Sequence, residues 1–118
     1  LISGTMKKAE TEQLILTDCL LAQTCIERTK GLLGWKTLEQ RCGMLITPCK
    51  SIHTFFMSFP LDIVFLDVRR IIVKLVPNLP PWRISGCLGA AAVLEAPVGT
   101  IASCGLEVGD QLNWQSHS

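Results

Sequence analysis

A β-rich α+β fold is predicted: a strongly curved mixed sheet or small open barrel, with one packed N-terminal helix and a short C-terminal helix. Three observations carry this. The runs 61–68 and 71–76 are apolar at successive positions, as in strands covered on both faces. Only Asp67-Val-Arg-Arg70 separates them, a length suited to a tight hairpin, although the favoured Gly or Asn is missing. No helical pattern of roughly 10–15 residues alternates with the strands, which argues against a doubly wound sheet.

Taken in order, residues 1–11 are polar and are expected to form a flexible segment, leaving 12–115 as a single domain. Met6-Lys7-Lys8 reads as a natural start with LISGT added upstream, or as the sequel of a removed leader. The compartment stays open, with the cytoplasm favoured and export allowed if a leader was removed. Residues 13–16 and 19–22 read as two short strands broken at Thr17-Asp18, a common turn pair. Thr24-Cys-Ile-Glu27 is a capping box, in which the Thr hydroxyl and the Glu carboxylate each accept a backbone N–H of the other residue. The helix it starts should carry Ile26, Leu32 and Leu33 on its inner side. Gly31 should weaken its end and Gly34 should supply a left-handed stop.

Residues 35–43 form a polar connection plugged by Leu38, and 44–46 a short strand ahead of Pro48. Pro60 suits the position just before the strand 61–68. Residues 77–90 hold three Pro and two Gly, a long irregular loop of the kind that often carries function. Residues 91–95 form a further strand. A short helix over 97–104 follows, with Pro97 in its first turn and Gly105 as its stop. A turn at 108–110 leads to a closing strand, 111–114.

Composition bounds the partners. Of 118 residues, 18% are charged, against roughly 25% in an average soluble domain, while 48% are hydrophobic. Charge is sparse, so either the core is generous or some apolar surface is covered by a partner, a homodimer being one way. The net charge is +1 and the basic residues occur as scattered pairs, so no nucleic-acid partner is expected. No apolar run approaches the ~20 residues that span a bilayer, so no transmembrane segment is expected. The six cysteines are widely spaced with no CxxC, and most sit among apolar neighbours. They read first as reduced, mostly buried thiols, and second as a few bridges.

The chemistry-bearing residues cluster in IHTFFMSFPLDIVFLD, residues 52–67, which contains all four Phe of the chain. His53 follows Cys49 by four residues and precedes Asp62 by nine. A Cys thiolate, a His base and an orienting carboxylate serve acyl transfer. The same His would otherwise bridge loop backbone beside an apolar patch. Cys42, Cys49 and His53 could meet at a metal, but the Cys42–Cys49 gap is longer than the usual zinc pairs and Cys49–His53 is one pair without a second, so no metal or other cofactor is expected. Phe55, Phe56, Met57 and Phe59 fill a core or line one wall of a pocket. Trp82 and Arg83 offer the opposite wall, with Arg83 as an anion contact. Asp62 and Glu95 sit at strand ends, where a carboxyl either satisfies a turn or becomes an acid of shifted pKa. Asp110 is expected to cap a turn.

The central run, the earlier RTKGLLGW, the GML ahead of the run and the later VLEAPVGTIASCGLEVGDQL resemble the bacterial and archaeal family known as domain of unknown function 192. The resemblance covers about residues 19–114. Trp35 stands where an Arg is usual, Arg69-Arg70 replaces a Gly-containing turn, and Ala91 or Ala92 falls where an aromatic often sits. The resemblance implies a compact β-rich α+β domain and no reaction, since the family's activity is unassigned. The resulting expectation is a binding or accessory module. It would hold a small molecule or peptide segment in a cleft between the loops 53–60 and 82–88, using His53, Phe56, Met57, Asp62, Trp82, Arg83 and Glu95. The alternative is a hydrolase using His53 and Asp62, with Cys49 as nucleophile.

Overall fold

The structure, a computed structural model, describes residues 1–118 apart from the side chain of Cys25. Its elements are β1 (Ile2–Lys8), β2 (Leu14–Ala22), α1 (Cys25–Lys30), β3 (Cys42–Ile46), β4 (Ser51–His53), β5 (Leu61–Leu66), β6 (Ile72–Leu79), β7 (Ile84–Gly86), β8 (Ala92–Ala96), α2 (Thr100–Ser103) and β9 (Leu112–Ser116). Seven strands make one mixed sheet in the order β6-β5-β8-β3-β2-β1-β9, and β4 pairs with β7 as a separate two-stranded arm. Only β2 and β3 run parallel; every other pair is antiparallel.

The apolar runs are buried on both faces because the sheet carries two cores. Leu61, Ile63 and Phe65 of β5 join Met44, Ile46 and Val93 on one face. Val64 and Leu66 join Leu45, Leu94, Met6 and Leu112 on the other. The first face is covered by Leu32 and Leu38, which follow α1, and by Ile52 and Met57 of the arm. The second is closed by the sheet's own curvature and by Leu106, with Ile101 and Cys104 packed against it.

That curvature stops short of a barrel. The edge strands β6 and β9 meet through one isolated bridge, Ile71 to Gln111, and a few bonds around it, such as Ile72 N–H to the Asp110 carbonyl at 2.8 Å. The barrel half of the expectation is therefore corrected to an open, curved sheet. On the β6 side, Pro77 has no N–H to offer to a further strand.

The N-terminal segment is also corrected. Residues 2–8, expected to be flexible, form β1, which is paired on both sides by β2 and β9. Its side chains are mostly polar, but its backbone groups have partners along both flanks. Met6 is buried, and the Trp114 indole lies so close to Gly4 that a Cβ there would overlap it. The break foreseen at Thr17-Asp18 is a local irregularity within a continuous β2. There both N–H groups donate to the Arg41 carbonyl, at 2.9 and 3.1 Å.

The capping box forms as read: Glu27 N–H donates to Thr24 Oγ1 at 3.1 Å, and Thr24 N–H to Glu27 Oε1 at 3.2 Å. The helix is shorter than expected and ends at Gly31, with φ +50°, rather than at Gly34. Ile26 is 81% exposed, so the packed inner face narrows to Leu32 and the half-buried Leu33, both beyond the helix. The 77–90 loop is less irregular than read, because β6 runs on to Leu79 and β7 lies within it. The C-terminal helix shrinks to the four residues of α2.

Replacing Met6 with Ala should destabilise the protein by about 2–5 kcal/mol in urea unfolding. A loss well under ~1 kcal/mol would mean that β1 is not a working part of the core.

Candidate functional site

The arm is fastened by Thr54, which is wholly buried. Thr54 N–H donates to the Arg83 carbonyl at 2.8 Å, and its own carbonyl accepts Trp82 N–H at 2.9 Å. Its hydroxyl donates to the Pro80 carbonyl at 2.7 Å and accepts Arg83 N–H at 2.9 Å. The loops expected to face each other across a cleft are thus zipped together. The concavity lies on the other side of β4, between the arm and the end of α1. It is a cavity of about 280 Å³, with Leu32, Leu33, Ile46, Ile52, Phe55 and Met57 as apolar wall and Arg28, Lys30, Cys49, His53 and Glu95 as polar or ionisable groups.

Glu95 is the unusual member. It pairs with Ile63 of β5 and Met44 of β3, so its side chain enters the apolar face of the sheet. It is 4% exposed, and its Oε1 has no hydrogen-bond partner. Burial raises its pKa to about 7. The chain is shaped to admit it. A Cβ on Gly31 would lie 3.2 Å from Oε1, and one on Gly43 would collide with the Glu95 carbonyl oxygen. Arg28, also at the cavity, donates from Nη1 to the Pro48 carbonyl at 3.0 Å, while its buried Nε has no partner.

Asp62 behaves differently. It opposes Ala96, on the face of the sheet opposite to Glu95, and does not reach the cavity. It is 1% exposed, yet its carboxylate accepts Asn78 N–H at 2.9 Å, Gly99 N–H at 3.1 Å and Ile101 N–H at 2.9 Å. These bonds tie β5 to β6 and to the start of α2, which is a structural task. His53 and Asp62 therefore do not converge.

His53 is exposed at the end of β4, with its ring stacked on Phe55 at 5.0 Å. Its Nδ1 accepts Phe55 N–H at 3.3 Å. Cys49 donates from its thiol to the Ser51 carbonyl at 3.1 Å, and burial raises its pKa, the reverse of an activated nucleophile. Cys19, Cys42, Cys49, Cys87 and Cys104 are unbridged thiols, and burial pushes Cys19 up to about 12. Among the described residues, no three His, Cys, Asp or Glu side chains stand close enough to share a metal ion. Phe56, Trp82 and Arg83 lie on the solvent side of the arm, outside the cavity; Met57 is buried at its wall. Asp110 accepts Glu107 N–H at 2.9 Å, as a turn cap should. The sequence reading missed Arg28, Leu32 and Leu33 as cavity residues. Their signal was the capping box, which fixes where the chain after α1 must fall.

A curved mixed sheet with two short helices and a small cavity beside one uncompensated carboxyl defines a compact β-rich α+β domain. The chain belongs to the DUF192 family, described as Uncharacterized ACR, COG1430, whose model matches residues 6–114. It is 34% identical to a UPF0127 protein of Thermococcus sibiricus over 98% of this chain and 74% of that protein. It is 43% identical to a UPF0127 protein of Pyrococcus abyssi over 54% of this chain and 55% of that one, so it spans about half of that relative. The crystal structure of a protein of unknown function from Novosphingobium aromaticivorans DSM 12444 superposes with a TM-score of 0.76 at 25% identity, covering 95% of this chain and 84% of that one.

Two outcomes follow from the carboxyls. Asp62→Ala should cost at least about 3 kcal/mol, since three charge-assisted bonds go at once and each is worth about 1.5–3 kcal/mol. A chemical denaturation curve within ~1 kcal/mol of wild type would remove the structural role assigned to it. For Glu95 the folded pKa, about 7, lies above the ordinary value of 4.5. Its protonated form is thus favoured by folding, with the full benefit below the unfolded pKa and a progressive loss as pH rises through about 7. The loss is on the order of 3 kcal/mol. Glu95→Gln should flatten this slope in unfolding curves taken across that window; an unchanged slope would mean that another group titrates.

Proposed function

We propose that the protein is a binding module which takes an apolar group of a small molecule or peptide segment into the cavity between α1 and the arm. Glu95 supports this reading most directly. A carboxyl buried without a hydrogen-bond partner costs stability, and it lies at the wall of a cavity whose apolar lining is Leu, Ile, Phe and Met and whose other polar groups include Arg28, Lys30, Cys49 and His53. The volume, about 280 Å³, suits a ligand fragment or one large side chain rather than an extended cofactor. The hydrolase alternative has less support, since Asp62 faces away from His53 and the Cys49 thiol is held protonated by burial.

The test is an NMR titration of isotope-labelled protein with small apolar amides, carboxylic acids and short peptides. Saturable shifts should cluster at Arg28–Leu33, Ser51–Met57 and Glu95, and Glu95→Gln should weaken the best ligand by about tenfold, as loss of one charge-assisted bond implies. Shifts scattered over the surface, or equal affinity in the variant, would sink the reading.

A further inference from the structure

The arm presents a second surface that the cavity does not use. Phe56 is 71% exposed and Trp82 55%, with their rings 4.6 Å apart. Ile84 and Leu88, on the same arm, are 68% and 94% exposed. The two aromatics are held out by an unfavourable backbone: φ is +65° at Phe56 and +64° at Trp82, a region that bulky side chains avoid. The Thr54 bonds lock both residues in that state, because Thr54 stands two positions before Phe56 and accepts the Trp82 N–H.

Charge is the second observation. Residues 48–60 and 80–91, which make up the arm and its loops, contain Lys50, His53 and Arg83 and not one Asp or Glu. Lys50 and Arg83 are both exposed. Lys74, on the neighbouring strand, adds a third cation and donates to the Gly86 carbonyl at 2.8 Å. The ten acidic residues of the chain all lie outside these two stretches.

We propose that the outer face of the arm lies on an anionic lipid surface, with Phe56 and Trp82 at one end of the ladder and Leu88 at the other entering the interface, and Arg83 and Lys50 at the same two ends meeting the headgroups. These apolar side chains are more than half exposed, and a soft apolar medium receives them without a matching socket. Trp is at home at that depth, where one side of its ring is apolar and the other wet. Neighbouring Lys and Arg add attraction to anionic headgroups over a Debye length. The contact proposed is a peripheral one; among the described residues no helix is long and apolar enough to cross a membrane.

The test is sedimentation of the full chain with vesicles of phosphatidylcholine alone and of phosphatidylcholine carrying about a quarter phosphatidylglycerol. Binding should be about tenfold stronger to the anionic vesicles and should fall as salt is raised. Phe56→Asn with Trp82→Asn should abolish it. Asn accepts a positive φ, so thermal unfolding of this variant should be no lower than that of wild type. Lys50→Glu with Arg83→Glu should remove the preference for anionic lipid. Equal binding to both vesicles would overturn the electrostatic part. Unchanged binding by the Asn variant would overturn the placement on this face of the arm. Failure to bind either vesicle would overturn the proposal and leave a protein as the occupant.

Discussion

The arrangement depends on one constraint: β5 and β8 lie side by side in the sheet and are buried on both faces. A strand pair of this kind must be covered twice. With 118 residues and two short helices, the chain has no long helix to lay across either face. One face is covered by bending the sheet until its edges nearly meet. The other is covered by an assortment of pieces: the chain after α1, Leu38 and the β4–β7 arm. Pieces that come from distant parts of the sequence do not fit like one continuous helix, and the cavity is the gap left between them.

The two buried carboxyls show what position within this frame does to one chemical group. Asp62 and Glu95 stand on adjacent strands, one residue out of register, and so point to opposite faces. Asp62 meets N–H groups of β6 and of the start of α2, which replace the water it has lost. Glu95 meets side chains of Met, Ile and Leu and the bare backbone of Gly31. The first carboxyl knits three elements together. The second opposes folding whenever it is ionised, on the order of 3 kcal/mol against a total stability of roughly 5–15 kcal/mol for a domain of this kind.

Much of this was legible in the residues. The double-sided strands, the Asp67 turn and the capping box each rest on local chemistry, and the structure forms all three. The Asp67 turn closes without Gly because its side chain accepts the Arg69 and Ile71 N–H groups, at 2.8 and 2.9 Å, while Arg70 takes φ +63°. What the sequence hid is long-range. Residues 2–8 look polar because a strand held between β2 and β9 needs backbone partners more than apolar side chains. Asp62 and Glu95 were both marked as carboxyls needing an explanation, yet only the strand register separates the one that has three donors from the one that has none. The 53–60 and 82–88 loops, expected as the two walls of a cleft, are instead hydrogen-bonded to each other. Their buried Thr54 turns that proximity into a ladder instead of a cleft, and a single Thr gives no sequence signal for this.

The exposed aromatics and the buried Glu95 are opposite departures from the same rule, that apolar groups go inside and charges outside. Each has a local cost: unfavourable φ at Phe56 and Trp82, desolvation at Glu95. Neither cost is needed by the fold. The arm's ladder involves the backbone of residues 51–54 and 82–86, and Asn would serve Phe56 and Trp82 better; Gln would serve the interior better than Glu. Both departures lie on or beside the β4–β7 arm, the part of the molecule that belongs to neither edge of the main sheet. Phe56 and Trp82 carry their cost within the arm, whereas Glu95 carries its cost on β8 itself, at the one place where the arm and the chain after α1 leave that strand's face incompletely covered.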